Sequence, residues 1–532
     1  MMMVSTSTDI IPRGKTTLVE QCRTDIDKDI AALVASLSIL RSRRNTLASV
    51  FSLPPEILVT IFTYTAEDAN FNIYADIIPR STGTPTSMIV THVCRHWRQV
   101  ALECPSLWTF IDHLPVPWIA IMLERSKEAA LVVKYSIPPA LECYIVGPLM
   151  QPLSQLPRIE VLKLHTYSNV VHHVFDCLSS QPAPLLQQFR YDVLGSYEPV
   201  TTVSETIFQG HAPLLRSVEL DGCLFILTSR TFSGLQTLDL KQYDPPHLTL
   251  SQILSALRRM PDLELLALRL LRRISVDTEL FDQVPLTRLR NLAFDGCQIQ
   301  NAVSLFSHLV LPVDVKIALS LTEIESPQSL SDLFSAIHKD ADASFPIIRS
   351  LCASFSHNIV GVQFSTSLAH KSEYSLNIRD SDIRLSIQLR GFSNPAIIFD
   401  MCRMVPHCKI QGLSISTSLR LSQNFWSAGF ADLLELESIY LKGTPISGFV
   451  LALTTVDVSV AYPFLRTLEF ESIDIGSDEH NGLQEIARRR AKGGVDIQKL
   501  RLTRCWNVTE ANVQLLESVI GDVDWDPVKK RC

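Results

Sequence analysis

One short phrase recurs through most of this chain. It consists of an apolar residue, two positions of any kind, a second apolar residue, one more position, and a third apolar residue. It reads Ile159-x-x-Leu162-x-Leu164, Leu186-x-x-Phe189-x-Tyr191, Leu215-x-x-Val218-x-Leu220 and Leu235-x-x-Leu238-x-Leu240. It continues as Leu263-x-x-Leu266-x-Leu268 and Leu289-x-x-Leu292-x-Phe294, shortens to Ile348-x-x-Leu351, and resumes as Ile410-x-x-Leu413-x-Ile415. The last three are Leu436-x-x-Ile439-x-Leu441, Leu465-x-x-Leu468-x-Phe470 and Ile497-x-x-Leu500-x-Leu502. The final two apolar positions alternate as side chains on a strand do, so both face one side and the residue between them faces the other. A strand this short is unstable alone. Stacked in parallel, such strands satisfy one another's backbone groups and build a continuous apolar spine.

Successive phrases stand mostly about 20–32 residues apart, the spacing of leucine-rich repeats. Amphipathic stretches from Leu250 to Met260 and from Gly482 to Lys492 predict outer helices. The Pro-Leu-Leu, Met-Pro-Asp-Leu and Tyr-Pro-Phe-Leu lead-ins predict turns. Residues 112–525 therefore read as an α/β leucine-rich-repeat-like solenoid, a horseshoe with irregular repeats. The asparagine usual after such a strand is replaced, for example by Cys223, Cys297 and Cys505. Residues 300–400 carry the weakest pattern, with an irregular sheet expected at Asp314 to Leu319 and Arg384 to Gly391. An α/β domain without true repeats is the competing reading. On a horseshoe the outward residue of each phrase points to the concave face. Glu219, Asp239, Ala267, Ala293, Tyr440 and Glu469 are the candidate substrate face.

A different texture precedes the repeats. Residues 53–62 read Leu-Pro-Pro-Glu-Ile-Leu-Val-Thr-Ile-Phe, a proline-led helix start with an acid in its first turn and apolar residues at Ile57, Leu58, Ile61 and Phe62. Residues 90–101 predict a second short helix, with Ile89, Val93, Trp97 and Val100 on one side and Arg95, Arg98 and Gln99 on the other. Pro105-Ser106-Leu107-Trp108 closes the stretch. A unit this small has more apolar surface than it can bury alone, so a partner is expected.

This stretch, at 51–111, resembles an F-box, and its wording is similar to that of the F-box-like proteins abundant in mushroom-forming fungi. The resemblance implies docking onto the Skp adaptor of a cullin–RING (SCF-type) ubiquitin ligase, with the rest of the chain selecting the unknown protein to be ubiquitinated. It implies that Leu53, Pro54, Ile57, Leu58, Ile61 and Phe62 line the adaptor-facing side. Val93 and Trp97 would tie the second helix to the first, with Cys94 near the seam. One departure is the polar, turn-rich segment 63–87, longer than the usual link and read as a loop insertion, which costs little thermodynamically. The alternatives are an ordinary helical hairpin and a non-ligase protein–protein interaction scaffold.

Residues 18–50 predict a helix with a heptad-like beat: Ile26, Ile30, Leu33, Leu37, Leu40 and Leu47, interrupted by Arg44. It either folds back on its own chain, which is the favoured reading because three to four heptads broken by an arginine are marginal for a coiled coil, or pairs with a second copy. Residues 1–17 are expected to be disordered and 526–532 to form a tail. The whole is thus an α+β chain in several parts.

The 532 residues carry 48 basic and 55 acidic side chains, a net charge of −7, and the basic ones form no stripe suited to nucleic acid. No signal-like or membrane-spanning run occurs. The 12 cysteines stand singly, which suits a cytoplasmic or nuclear setting. Gly14-Lys15-Thr16 resembles the end of a phosphate-binding loop but lacks its partner glycine. His92 and His96 have helical metal-ligand spacing without a third ligand, and His172-His173 and Cys402 to Cys408 fit no ligand pattern. No nucleophile elbow or paired-carboxylate pattern stands out. No catalytic residue, cofactor or metal is expected.

Overall fold

The computed structural model describes residues 13–68, 86–112, 114, 116–136, 146–194, 203–223, 230–241, 248–269, 274–275, 282–322, 327–339, 346–368, 382–391, 394–406, 408–455 and 461–526. The expectations for residues 1–12, for 69–85 of the insertion and for 527–532 fall outside these. The chain divides into two compact units, Met1–Glu160 and Val161–Cys532.

The first unit opens with helix α1 (Arg13–Thr46). Residues 13–17, expected to be disordered, are therefore helical, and Gly14, Lys15 and Thr16 belong to a helix and not to a loop. One glycine costs a helix only about 1 kcal/mol, too little to stop it. The apolar beat of α1 does not fold back: Ile26, Ile30, Leu33, Leu37 and Leu40 are all exposed. There follow α2 (Pro55–Asp68), α3 (Thr86–Thr91), α4 (Arg95–Glu103), β1 (Phe110–Asp112), α5 (Val116–Ser126), β2 (Leu131–Ser136) and α6 (Val146–Leu153). Residues 63–68, read as loop, continue α2. β1 and β2 pair in parallel.

The second unit is a large, mostly parallel sheet with connecting helices. Its strands begin at the unit boundary with β3 (Ile159–Tyr167), β4 (Gln188–Leu194), β5 (Ser217–Asp221) and β6 (Thr237–Lys241). Next come β7 (Leu248–Thr249), β8 (Leu265–Arg269), β9 (Ile274–Ser275), β10 (Val284–Pro285), β11 (Asn291–Gln298), β12 (Leu309–Val310) and β13 (Lys316–Thr322). β14 (Ile348–Ser356), β15 (Ile359–Ser365), β16 (Ile383–Arg390) and β17 (Cys408–Thr417) are longer. β18 (Ser438–Lys442), β19 (Thr467–Glu471), β20 (Lys499–Thr503) and β21 (Asp522–Asp526) complete the set. The helices are α7 (Val171–Ser179), α8 (Leu250–Arg258), α9 (Ile299–His308), α10 (Pro327–Ile337) and α11 (Ile397–Met404). They continue with α12 (Gln423–Asp432), α13 (Ser447–Thr455), α14 (Ser477–Lys492) and α15 (Glu510–Glu517). The stretches 250–260 and 482–492 are thus largely helical, in α8 and α14.

The repeated phrase has a repeated backbone. In each strand the two alternating apolar residues are buried: Val218 and Leu220, Leu238 and Leu240, Leu468 and Phe470, Leu500 and Leu502. The phrase's first residue is buried too and closes a turn through its N–H, as from Leu215 to the Ala212 carbonyl (3.2 Å), Leu263 to Met260 (3.2 Å) and Leu465 to Tyr462 (3.0 Å). The next residue offers a carbonyl that accepts two N–H groups from the following strand's start. Arg216 receives Gln236 (2.7 Å) and Thr237 (2.9 Å), and Glu437 receives Arg466 (2.8 Å) and Thr467 (3.0 Å). Where strands end, Gly222, Gly443, Ser472 and Arg504 adopt left-handed backbone at φ 76°, 74°, 53° and 51°. There Gly222, Gly443 and Ser472 each donate an N–H to the next strand's last carbonyl. The residue that follows turns inward: Cys223, Thr444, Ile473 and Cys505 are all buried. Cys505 Sγ donates to the Phe470 carbonyl at 3.3 Å.

Residues 300–400 depart from this plan. β13 pairs in parallel with β16, β16 antiparallel with β15, β15 antiparallel with β14, and β14 in parallel with β17. The sheet order there is β13-β16-β15-β14-β17, and β15 alone runs against the rest. Ser356 and Ile359 are paired, which leaves His357-Asn358 as a two-residue hairpin loop.

Helix packing on the other side of the apolar spine relies on small residues. A side chain at Gly448 in α13 would meet the Leu421 carbonyl, and one at Gly482 in α14 would meet Val450 Cγ1 of α13. α14 also buries a cation. Arg490 is 1 % exposed and donates to the carbonyls of Ala461 (2.9 Å), Tyr462 (2.9 Å), Leu465 (3.2 Å) and Val495 (3.1 Å).

Candidate binding surfaces

In the first unit, α2 has two distinct faces. Leu58 and Phe62, one turn apart, are 0 % and 1 % exposed and form the unit's own core with Val100, Ala101, Leu107 and Trp108. Phe62 packs against the Trp97 ring, centroids 4.9 Å apart, so Trp97 ties α4 to α2. Trp108 Nε1 donates to the Ala101 carbonyl at 2.8 Å, and the Arg125 guanidinium lies 4.4 Å from the Trp108 ring centroid. The adjoining face carries Pro54, Ile57, Ile61 and Tyr64, spaced by three, four and three residues. Ile57 is 47 % and Ile61 39 % exposed. Leu53 is half-buried at the helix start.

The single helix expected around residues 89–100 is two. Cys94 is extended (φ −158°, ψ 173°), and its Sγ accepts the Trp97 N–H at 3.4 Å, capping α4. Arg98 Nε donates to the Thr91 carbonyl at 2.8 Å across the break. The break leaves Ile89 and Val93 exposed, while Val100 turns inward. Val93 thus lies on the surface and not between the helices. The break also removes the helical pairing of His92 and His96, since His92 sits in the turn after α3.

In the second unit, strand register gathers the six face residues into one row. Glu219 lies beside Asp239, Asp239 beside Ala267, Ala267 beside Ala293, and Tyr440 beside Glu469. Between the two groups the row passes through Ala318, Ser386, Gln363, Cys352 and Ser414. Arg190 extends it at one end, and Arg501 and Asp524 at the other. The row has charged ends, half-buried at Arg190, Glu219, Glu469 and Arg501 and exposed at Asp524, and an uncharged, close-packed middle. Ala267 and Ala293 are buried with Ala318 in a small apolar patch that Leu265 also packs against. Ser386 and Gln363 are buried as well.

The charged ends are internally paired. At one end Asp192 accepts Arg190 Nε at 2.9 Å and His165 Nδ1 at 2.8 Å, and Asp239 accepts Arg269 through two nitrogens at 2.9 and 3.2 Å. Burial would raise the Asp192 carboxyl, but hydrogen bonds from His165 and Arg190 bring it below its ordinary value. At the other end the Tyr440 hydroxyl donates to Glu471 at 2.5 Å, with Lys442 and Arg504 on the same carboxylate. Arg501 bridges Glu469 (3.4 Å) and Asp524 (3.0 Å). Burial and the Glu471 bond push the Tyr440 hydroxyl up. The more solvent-facing of these pairs, such as Arg501–Asp524, are worth only about 0–1 kcal/mol each. Elsewhere in this unit Val313, Ile317, Ile337, His338, Lys339 and Arg384 line a mainly apolar pocket.

Among the described residues, no group of three His, Cys, Asp or Glu side chains could hold a metal ion, and no helix is long and apolar enough to cross a membrane. His172 and His173 are exposed on α7.

A family model described as F-box-like matches residues 50–113, the segment of α2, α3, α4 and the buried Trp108. The chain therefore carries an F-box-like domain. No curated protein matches the chain.

Proposed function

We propose that this chain is a substrate-binding subunit of a Skp–cullin–RING ubiquitin ligase, acting in the cytosol or nucleus. The observation that carries the reading is the aliphatic stripe Pro54, Ile57 and Ile61, exposed on the segment that matches the F-box-like model. This stripe, with Leu53 at its start, seats in the adaptor, together with Val93, exposed in the turn between α3 and α4. Leu58, Phe62 and Trp97 act from beneath, holding α2 and α4 at the angle the adaptor receives. The second unit reads best as an irregular leucine-rich repeat solenoid, supported by its recurring turn, shared carbonyl and left-handed strand exit. The target-binding face is formed by the charged and polar ends of its row, Glu219 with Asp239 and Tyr440 with Glu469, while Ala267 and Ala293 in the neutral middle are buried and hold the strands together. The chain itself performs no covalent step. It acts by position, raising the effective concentration of target lysines near the activated ubiquitin.

The test is capture of a Skp-type adaptor by the purified full chain. Ile57→Asp with Ile61→Asp should weaken capture by roughly a hundredfold or more, since each aliphatic contributes about 1–2 kcal/mol at a desolvated interface and a buried carboxylate adds a penalty. Both positions are exposed, so the unit's own core is spared. Wild-type chain that ignores the adaptor would favour the interaction-scaffold reading.

A further inference from the structure

Helix α1 leaves an apolar seam uncovered. Ile26, Ile30, Leu33, Leu37 and Leu40 alternate at four and three residues, and they are between 48 and 71 % exposed. The unit touches α1 along a different line. Ser38 accepts Arg95 Nη2 at 2.6 Å, and Asn45, two turns on, is also half-buried. The seam is therefore free while the helix is held. Five aliphatic side chains in regular heptad register are unusual on a solvated helix, where single exposed residues are the ordinary case.

We infer that the seam is closed by α1 of a second copy, in antiparallel orientation. The charges beside the seam choose the occupant and its direction. Flanking positions in the first half are acidic, Asp27 and Asp29, and the equivalent positions two heptads later are basic, Arg41 and Arg43. A parallel pair lays acid half along acid half and sets Arg44 against Arg44. An antiparallel pair stacks Leu33 on Leu37 of the second copy and Ile30 on its Leu40. The same register brings Asp27 beside Arg41 and Asp29 beside Arg43, each pair formed twice by symmetry. Val34 meets Val34 and Ser36 meets Ser36 at the centre, where no charge is stranded. Arg44 falls opposite Ile26, at the end of the apolar run, where its alkyl stem covers the isoleucine and its guanidinium reaches water. The helix thus supplies both halves of its own complement, as an isologous interface requires.

This inference is independent of the adaptor reading, and its test uses a different readout. The full chain is sedimented at micromolar concentration, with melting of the second unit as a folding control. The expected result is a species of twice the chain mass. Leu33→Glu with Leu37→Glu should yield monomer with unchanged melting. Asp27→Lys with Asp29→Lys should weaken the dimer by roughly tenfold or more. Adding Arg41→Glu and Arg43→Glu to that variant should restore it, because the swapped charges again face one another in the antiparallel register only. A monomeric wild-type chain overturns the inference, as does a dimer that survives the glutamate pair. Failure of the fourfold swap to restore the dimer overturns the antiparallel assignment.

Discussion

Arg490 is the most demanding side chain in the second unit. Its guanidinium is buried with carbonyls as its acceptors, and burial pulls its pKa down to about 10. Arg490→Met keeps much of the volume but strands the carbonyls of Ala461, Tyr462 and Leu465. It should destabilise the unit by about 3–5 kcal/mol, read as a lower melting temperature. Arg488 and Arg489 are exposed on the same helix, and replacing either should cost far less. In sequence the three arginines form one charge run, which reads as a solvated face. Only the phase with Leu483, Ile486 and Ala487 separates Arg490 from the others, and that phase is masked by its charge. His338 makes a second residue-level prediction. Burial lowers it from 6.5 to about 4. Its folded pKa lies below its unfolded one, so its contribution is complete above about pH 6.5 and is lost as pH falls toward 4. Melting temperature should drop across that window, before most carboxylates protonate, and His338→Gln should flatten the drop. The effect is worth at most ~3 kcal/mol.

The strands were legible wherever the phrase repeats, because alternation of apolar residues needs no tertiary information. What lay beyond reach was how far each strand continues and which way it runs. β15 carries good alternation, Val360, Val362 and Phe364, yet no leucine phrase announces it. Its direction is set by the two-residue His357-Asn358 loop, a local signal easily lost beside a strong periodic one. The α3–α4 break was hidden for another reason. Cys94 caps through sulfur, and cysteine is not among the residues that mark a helix start. The same limit applied to α2: spacing placed Ile57, Leu58, Ile61 and Phe62 on one broad apolar arc, and only packing divides it into a buried half and an exposed half. Helix spacing gives the third prediction. Gly448→Ala sets a methyl group against backbone and should cost about 3 kcal/mol. Gly482→Ala meets only the Val450 side chain, which can rotate, and should cost about 1 kcal/mol. Reversal of that order on thermal melting would mean that α13 and α14 pack by some other contact.

Across the molecule, the candidate face is assembled from strands far apart in sequence, and strand register holds it together. The six residues chosen from the phrase fall in one row because each phrase contributes the same strand position. Part of the middle, Ala318, Ser386 and Gln363, was not foreseen, since it comes from strands without a phrase. That block also has a consequence for how the chain is made. β13, paired on one side with β11, finds its second neighbour in β16, whose Gln388 stands 68 residues beyond Ser320. On the ribosome, β14 and β15 emerge first, and neither is a partner of β13 in the folded sheet. Through that interval the finished amino-terminal part of the sheet shows a bare, parallel-ready strand edge. Another nascent chain could add to it, and translation speed across this stretch becomes a determinant of yield.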